Sequence, residues 1–472
     1  MPQWRDIQLN KKLFKNVDES ALTTAYGALE NCFVTEAGGL SRFPGLRVFA
    51  ELGGNADIFL DKHMNDLIAV GRDGRTFRVN RNAESTRIEG SPVLGGRRAT
   101  FARTPDSLMI AAGAQVIKFD GVKNSALSPD APLSTHVGFI DGYVLAVEND
   151  SGRFQHSSLD NFSVWNGADT FAANGRPDNI NALMITPFNE ILLTGEDSIE
   201  QYERYPGGTA PFYRRWSIGD GISEPYTLCH ADNAAWGLNG RYEFVRLSGQ
   251  TSASASDDIG LSLENMYRQD NLEALNLAWA APFNIKGQKF IMLQSPEAIR
   301  EDGTKGFTAV KDLRQNQWFE LTGWDASTGM PALWPGRSIF QIWGKTFVGG
   351  QGKIYELTDQ VHSNDGQVQR MYGRTAHFND LGPSRIERVR LHLKRGVGSY
   401  TSNPKIAMRV NRNNRGFGVW QYRELGLSGA SEMQVEFGSQ GDGDQWQFEF
   451  MVTDDCPVEL RRLQVEVTDM VR

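Results

Sequence analysis

The sequence predicts an all-β protein built around a β-propeller of six or seven blades. Apolar strands, each followed by a turn rich in Gly, Asn or Asp, recur along most of the chain. The composition agrees, with 49 Gly, 26 Phe, 11 Trp and 12 Tyr among 472 residues. Aromatic residues favour strands and glycine favours tight turns, and a chain of this length is expected to hold more than one domain.

Seven apolar residues mark the centres of the repeated strands. They lie 36 to 56 residues apart, close to the spacing of about 40 to 50 residues at which four-stranded blades repeat. A blade buries its faces only against neighbouring blades, so the units are expected to close around an axis. An irregular all-β domain with ordinary hairpins is the alternative. The seven centres are Ile68, Met109, Leu145, Leu192, Trp236, Ile291 and Phe347.

The pattern divides the chain into three parts. Residues 1–30 are expected to form a polar N-terminal arm, and residues 31–365 to form the propeller, with a short helical insertion at about 257–280. Residues 366–472 alternate apolar and polar side chains, which predicts a C-terminal β-sandwich, with one further blade as the alternative. The alternating apolar positions are Val389, Leu391 and Leu393; Ile406, Met408 and Val410; Met433, Val435 and Phe437; Trp446, Phe448, Phe450 and Val452; and Leu463, Val465 and Val467.

The charge of the chain argues against a protein that grips nucleic acid. The net charge is −8, with 34 basic and 44 acidic residues in 1–365 against 15 and 13 in 366–472. Proteins that hold nucleic acid usually carry a basic patch and a high isoelectric point. An acidic wall would instead repel phosphate and let DNA slide past it.

Cysteine usage and hydropathy predict a protein made in a reducing cytoplasm. Cys32, Cys229 and Cys456 lie far apart and in no C-x-x-C pair, so neither a disulfide framework nor a zinc site is supported. Buried reduced thiols are the simplest expectation. The N-terminus lacks the profile of a signal peptide, and no window approaches the roughly 18 apolar residues of a membrane span.

No pattern for catalysis, a cofactor or a metal ion is visible. The seven histidines have no metal-ligand spacing, and no G-x-S-x-G elbow is present. The glycine-rich residues 349–353 differ from a phosphate loop, because Phe347 occupies the place of its first glycine and Ile354 replaces the needed hydroxyl. We therefore expect no enzymatic activity and no cofactor.

Three acidic clusters are candidate sites of chemistry. Residues 441–444 lack the spaced acidic and carbonyl ligands of a calcium loop, so a hairpin turn is expected there. The carboxylate pairs Glu196/Asp197 and Asp454/Asp455 cannot be distinguished from solvated turns by sequence.

One stretch, residues 31–46, is expected to be the first strand-turn-strand unit of the β array. Residues 32–35 are β-prone, and the glycines at 38 and 39 are expected to take positive φ in a tight turn. Proline cannot donate to a strand ladder, so residues 43–45 should end the return strand. An ordinary hairpin among many is the alternative. The positions that define the motif are Asn31, Phe33, Gly38, Gly39, Leu40, Pro44, Gly45 and Leu46.

Read in order, this motif resembles the start of the tail nozzle proteins of short-tailed bacteriophages. That family includes the tail accessory factor, also called packaged DNA stabilisation protein. The resemblance continues through residues 247–250 and covers about the first three quarters of the chain. It implies a structural virion protein of the tail, made in the host cytoplasm, that forms a hexameric nozzle or hub, retains packaged DNA and conducts it on ejection.

The same resemblance implies a set of partners. They are a head-to-tail adaptor ring, a tail needle or plug, and a tailspike or fibre, with double-stranded DNA passing transiently. A different class of function is also open: a propeller that binds glycans or degrades polysaccharide, with the sandwich as a carbohydrate-binding module. Mass separates the two classes, because the first predicts a homo-oligomeric ring and the second a monomer with glycan affinity.

Overall fold

The computed structural model describes residues 2–7, 29–173, 175–205, 207, 210–256, 259–260, 262–264, 277–299, 303–377, 379–430 and 434–470. These residues are almost entirely β, with one turn of 3-10 helix at Pro225–Thr227 and helical residues at 260 and 262–264. Most of the predicted arm, most of the predicted helical insertion and Met433 lie outside the described residues.

Five strands come before the first complete blade, and all of them except β3 pair with segments far along the chain. They are β1 (Gln3–Ile7), β2 (Leu29–Glu30), β3 (Cys32–Val34), β4 (Leu40–Arg42) and β5 (Gly45–Glu51).

Five four-stranded antiparallel sheets follow in chain order, and each is one propeller blade. Successive strands pair as a meander, as in other propellers. Blade 1 contains β6 (Ile58–His63), β7 (Asp66–Gly71), β8 (Thr76–Val79) and β9 (Ser85–Arg87), and blade 2 contains β10 (Thr100–Arg103), β11 (Leu108–Ala111), β13 (Ile117–Phe119) and β14 (Asn124–Ala126), with β12 (Ala114–Gln115) and β15 (Leu133–Ser134) paired beside it. Blade 3 contains β16 (Val137–Ile140), β17 (Tyr143–Val147), β18 (Arg153–Ser158) and β19 (Asn161–Ala172), and blade 4 contains β20 (Ala182–Ile185), β21 (Ile191–Thr194), β22 (Ile199–Arg204) and β23 (Phe212–Ile218). Blade 5 contains β24 (Cys229–Ala231), β25 (Ala234–Leu238), β26 (Phe244–Ser248) and β27 (Thr251–Ser254).

Two further four-stranded blades are parts of larger sheets. Blade 6 is the first half of a nine-stranded sheet, and blade 7 takes its outermost strand, β5, from the N-terminal segment. The chain therefore closes its own ring. The strands are β28 (Trp279–Ile285), β29 (Gln288–Ile299), β30 (Lys305–Asp312) and β31 (Gln317–Glu320) in blade 6; β34 (Ser338–Ile342), β35 (Lys345–Gly349) and β36 (Lys353–Thr358) with β5 in blade 7; and, outside the blades, β32 (Thr322–Asp325), β33 (Met330–Leu333), β37 (Ser363–Asn364) and β38 (Gln367–Val368).

Neighbouring blades enclose separate apolar cores, and the core between blades 7 and 1 completes the ring. The pairing of β5 with β36 is the connection that holds the ring closed. Each of the seven predicted strand centres falls in the second strand of a different blade. The prediction of an all-β propeller with six or seven blades is confirmed, and the described residues supply seven four-stranded units.

The C-terminal strands form two sheets with a shared apolar core. One sheet contains β1, β3, β4, β46, β40, β43 and β44, and the other contains β2, β39, β45, β41 and β42 as the second half of the nine-stranded sheet. The described positions that alternate in the sequence are buried in these strands, as expected for a sandwich. The strands are β39 (Met371–Arg374), β40 (Ser384–Leu393), β41 (Lys405–Arg412), β42 (Gln421–Glu424), β43 (Val435–Phe437), β44 (Gly441–Gly443), β45 (Trp446–Val452) and β46 (Glu459–Asp469).

Strand pairing crosses both predicted domain boundaries. The hairpin formed by β3 and β4 is present as predicted, but β4 pairs with β46 of the sandwich and not with a blade. Strand β1 also pairs with β46, and β2 lies between β31 of blade 6 and β39 of the sandwich. The division at residues 30 and 365 therefore stays a prediction about folding units.

Candidate functional site

The N-terminal hairpin contains two glycines that serve different purposes. Gly38 has a φ of 79°, in the left-handed region that glycine adopts without steric cost, so the predicted turn geometry is confirmed there. Gly39 lies outside that region, so the predicted positive φ is wrong for it. A Cβ atom at Gly39 would lie 2.7 Å from the carbonyl oxygen of Leu460 on β46. Glycine is needed at this position because the hairpin packs directly against the backbone of the sandwich.

Asn31 lies where β2 ends and the hairpin begins. Its φ is 52°, a conformation that asparagine tolerates better than most residues, and its side chain is buried. Nδ2 donates to Thr322 Oγ1 at 2.9 Å and to the Arg370 carbonyl at 2.8 Å, while Oδ1 accepts from the Thr322 N–H at 3.0 Å. Thr322 begins β32 and Arg370 directly precedes β39. One side chain therefore links the hairpin to both parts of the molecule.

A buried ion pair lies beside Asn31. The carboxylate of Glu30, which is 0% exposed, accepts two hydrogen bonds from the guanidinium of Arg370, with Nε at 3.1 Å from Oε1. Thr322 Oγ1 donates to the same Oε1 at 2.8 Å. Paired hydrogen bonds of this kind fix the orientation of the guanidinium as well as its position. Because both charges are removed from water, loss of either partner would leave the other uncompensated.

Arg42 forms a second buried connection at the end of β4. Its guanidinium donates to the backbone carbonyls of Asp454 and Cys456 in the sandwich and of His362 and Gln369 in the segment before β39. Burial is the main cause that lowers the pKa of Arg42, although arginine stays protonated at any ordinary pH. A planar guanidinium can hold several carbonyls at once, so Arg42 joins the hairpin to two distant backbone segments.

The remaining motif residues fill the space around these two connections. The carbonyl of Pro44 accepts from Gln369 Nε2 at 3.0 Å. A Cβ atom at Gly45 would lie 2.5 Å from the carbonyl oxygen of Ser363, so the close approach of β5 to the segment after blade 7 needs glycine. The apolar motif residues are buried in the core: Phe33, Leu40 and Leu46.

The motif therefore spans the segment in which the chain leaves the sandwich, forms the β3–β4 hairpin and enters β5, the outer strand of blade 7. We call the set formed by Glu30, Asn31, Arg42, Thr322 and Arg370 the junction network. Among these residues, only Asn31 belongs to the sequence motif. The available signal was weak: Glu30 follows a leucine, and a charged residue that is buried usually has a buried partner.

A cavity of about 420 Å³ lies on the propeller axis, lined by β6, β10, β16, β20 and β28. We call this space the axial cavity. Arg98 lines it and also lines a second space of about 100 Å³. Its guanidinium carbon lies 4.5 Å from the ring centroid of Trp279 and 5.0 Å from that of Phe59. Arg98 therefore belongs to the lining of both spaces, and each is of the size that holds a small molecule at most.

Burial governs the charges around the axial cavity. Asp61 and Arg103 form an ion pair at 2.6 Å, and burial raises the pKa of Asp61 against the opposing effect of that arginine. Burial lowers the pKa of His136 to about 3, so its ring is neutral at physiological pH. That ring stacks on Tyr226 with 5.1 Å between centroids, and burial raises the pKa of this tyrosine to about 12.

Of the carboxylates considered for acid–base chemistry, Asp454 and Asp455 bind backbone groups instead. Asp454 Oδ2 accepts from the Lys405 N–H at 2.7 Å, and Asp455 Oδ1 accepts from the His362 N–H at 2.6 Å. Residues 196 and 197 are both exposed. Neither pair lines the cavities of about 420, 300 or 100 Å³ in the described structure, so these cavities do not supply the concave site that glycosidase chemistry needs.

The other sequence candidates also have structural roles. Residues 349–353 connect β35 to β36 in a hairpin. Residues 441–443 form β44 and pair with β40, so the turn expected over 441–444 is confined to its end. Cys32, Cys229 and Cys456 are buried free thiols, as predicted. Among the described residues, no cluster of His, Cys, Asp and Glu could hold a metal ion, and no helix has the length and apolar character to cross a membrane.

Together these features define a class of β scaffold: a closed propeller joined to a sandwich by a shared sheet, a buried ion pair and the buried hydrogen bonds of Arg42. A family model described as "Bacteriophage P22 Gp10, beta-propeller", in a family named for phage stabilisation, matches residues 33–361. Because that match covers more than half of the sequence, the chain belongs to this family. The resemblance drawn from the motif is confirmed, and the family assigns the chain a structural role in a bacteriophage.

Solved structures also align with the chain, at low similarity. A streptogramin B lyase is 10% identical, with 66% of this chain and 97% of that one covered and a TM-score of 0.43. The extracellular domain of the one-component system BT4673 from B. thetaiotaomicron is 9% identical, with 87% and 57% covered and a TM-score of 0.44. The designed Ika8 protein is 10% identical, with 66% and 99% covered and a TM-score of 0.37. None of these similarities carries an argument about function, and no curated protein matches the chain.

Proposed function

We propose that the protein is a nozzle or hub subunit of a short phage tail, which retains packaged DNA and conducts it on ejection. Membership in a phage stabilisation family supports this role most directly. The propeller supplies a stiff body, because seven blades packed around one axis leave few free edges to deform. The virion tail is the proposed location, and the proposed role is not enzymatic.

The small volume of the axial cavity supports a channel formed between subunits. The axial cavity and the second space have volumes of about 420 and 100 Å³, and Arg98 lines both. A DNA duplex cannot enter spaces of this size. If the protein conducts DNA, the duplex must therefore run along a wall made by several copies, as a cyclic homo-oligomer would provide. We propose a hexamer, following the family resemblance.

The junction network supports a mechanical role within each subunit. Packaged DNA exerts pressure on a tail, and the propeller and sandwich of one subunit would need to move as one body under that load. A shared nine-stranded sheet and the buried Glu30–Arg370 pair both favour such coupling. The proposed structural role of the eight motif residues is to build this connection.

The proposed partners are a head-to-tail adaptor ring on one side, a needle or plug on the other, and a spike or fibre at the periphery. Double-stranded DNA would be a transient partner, since the net charge of −8 disfavours tight phosphate binding. These assignments rest on the family and on charge.

Native mass spectrometry of the protein mixed with its adaptor ring tests the assembly. We expect a cyclic complex with several copies of this chain per adaptor ring. The isolated protein serves as the control, since tail components often assemble only on a completed platform. A strict monomer in the presence of the adaptor would contradict the proposed function.

A further inference from the structure

The lining of the second space, of about 100 Å³, contains three arginine side chains: Arg72, Arg98 and Arg337. Asp57 Oδ1 lies 3.4 Å from Arg337 Nε, and Asp57 Oδ2 lies 3.8 Å from Arg72 Nη1. One carboxylate is therefore shared by two guanidinium groups. Glu297 also lines the space, but it pairs with Lys305 at 3.3 Å. The lining thus holds an excess of positive charge.

Arg98 supplies a charge that no ion pair balances. Its guanidinium donates one hydrogen bond in the described structure, to the Arg337 carbonyl at 2.6 Å, and no described carboxylate lies within ion-pairing distance. The guanidinium carbon lies 4.5 Å from the Trp279 ring centroid and 5.0 Å from that of Phe59. These three neighbours all line the second space, so the guanidinium lies at that space. A guanidinium has five N–H donors, which leaves donors for a further acceptor.

The surroundings of Arg98 favour an anion. Burial lowers the pKa of Arg98 to about 10, so the side chain still carries its charge at physiological pH. The rings of Phe59 and Trp279 attract a cation but provide no carboxylate or carbonyl acceptor. A charge removed from water is stabilised by an opposite charge and by hydrogen bonds, and guanidinium groups form paired hydrogen bonds with phosphate or carboxylate oxygens.

The size of the second space limits the ligand. A single water needs about 10–15 Å³ of such volume. A space of about 100 Å³ can therefore hold an ion of four or five heavy atoms with a few waters. Drug-sized molecules occupy pockets of about 300 Å³ or more, so a larger organic ligand does not fit.

From these observations we propose that the second space binds a small inorganic oxyanion of the phosphate or sulfate type. Arg98 would donate hydrogen bonds to its oxygens, and Arg72 and Arg337, which share Asp57, would add positive charge. All of these residues belong to one chain, so the site goes beyond the proposed tail function and does not depend on assembly.

Isothermal titration calorimetry of the full-length protein with sodium phosphate tests this site. Tris chloride buffer at constant ionic strength keeps the screening of charges the same throughout. We expect saturable binding of one phosphate per chain. Acetate is the comparison ligand, because a carboxylate could also come from an acidic side chain of a partner. Acetate should bind more weakly, since it has fewer oxygens and less charge, and tighter binding of acetate would overturn the assignment to an inorganic oxyanion.

Arg98→Met removes the charge and keeps an unbranched side chain against Trp279 and Phe59. It should weaken phosphate binding at least tenfold, because hydrogen bonds between charged groups are lost. Arg246→Met is the matched control. The Arg246 guanidinium also lies over a tryptophan ring, 5.8 Å from the Trp236 centroid, but it lines neither space, so phosphate binding should not change.

A second variant keeps the proposal open to refutation if Arg98→Met does not fold. Asp57→Asn removes the carboxylate that competes with the ion for Arg72 and Arg337, so it should tighten phosphate binding severalfold. A purely structural role of Asp57 would not tighten binding. Circular dichroism checks the fold of each variant. The proposal would be overturned by wild-type protein that does not bind phosphate, by unchanged binding in Arg98→Met, or by unchanged or weaker binding in Asp57→Asn.

Discussion

Replacing Glu30 with glutamine tests whether the junction network holds the propeller and sandwich together. The substitution keeps the size of the side chain and one acceptor oxygen but removes the charge opposite Arg370. Glu30 is 0% exposed and the Arg370 side chain 17%, so water can compensate little of that loss. Breaking a buried pair by removing one partner typically costs about 3–5 kcal/mol. We expect about 3 kcal/mol, near the lower limit, because glutamine still accepts from Thr322.

Equilibrium unfolding in urea measures this loss, and a double-mutant cycle isolates the pair. Glu30→Gln, Arg370→Met and the double variant should give a coupling energy of about 2–3 kcal/mol, as for residues in one buried network. Glu148→Gln is the matched control, because its ion pair with Arg153 at 2.7 Å lies on the surface. Surface pairs contribute little, so no measurable change is expected.

The unfolding profile carries additional information about the junction. In the wild-type protein we expect the propeller and sandwich to unfold together, because they share a sheet. In Glu30→Gln the sandwich signal should separate from the propeller signal. Additive single and double variants, with coupling near zero, would refute the assignment of the pair as a structural connection.

Four further outcomes are expected. Gly39→Val should destabilise the protein by about 1–3 kcal/mol, because its Cβ atom would meet the Leu460 carbonyl; a fully stable variant in urea unfolding would contradict that contact. Burial, with a smaller effect from Arg42, lowers the pKa of His362 to about 4. Between pH 4 and 6.5, His362 is therefore protonated in the unfolded chain and neutral in the folded one. Stability should fall as the pH drops from about 6.5 to 4, by up to about 3 kcal/mol, and His362→Gln should lessen that slope in acid titrations of unfolding. Duplex DNA should bind weakly at physiological salt, without a steep salt dependence. Submicromolar affinity in a filter-binding assay would contradict an acidic wall that repels phosphate. Incubation with host polysaccharide should release no more reducing ends than boiled protein does, and turnover lost on mutating one acidic residue would favour the enzyme alternative.

The propeller could be predicted because its signal is local and repeated. Every blade needs an apolar second strand buried on both faces, and a turn must follow it. Ile68 and Phe347, at the two ends of the series, satisfy this requirement as clearly as the central members. Hydrophobic runs and turn residues are properties of neighbouring positions, so a single sequence records them.

The placement of the N-terminal hairpin could not be predicted in the same way. Its partner, β46, lies more than 400 residues along the chain, and the pairing of Leu40 with Leu460 leaves no local pattern. The same limit applies to Gly39. Glycine in a turn suggests positive φ, whereas the actual constraint comes from a backbone that only the folded structure brings close.

The junction network could be predicted from the sequence only in part. Glu30 and Arg42 each adjoin an apolar residue in the sequence, but their partners could not be predicted, because hydrogen bonds to Arg370 and to distant carbonyls depend on tertiary structure. The axial cavity likewise arises from strands of several blades. Sequence indicated the elements that surround it and could not indicate the space between them.

Electron microscopy of the assembled tail with DNA retained inside it tests the central claim most directly. The account predicts several copies of this chain in a closed ring, with duplex density on the axis of the ring and none on the axis of any single propeller. It also predicts that the propeller and sandwich of each copy move as one body. A monomeric attachment to the tail, or a ring whose duplex lies elsewhere, would contradict it.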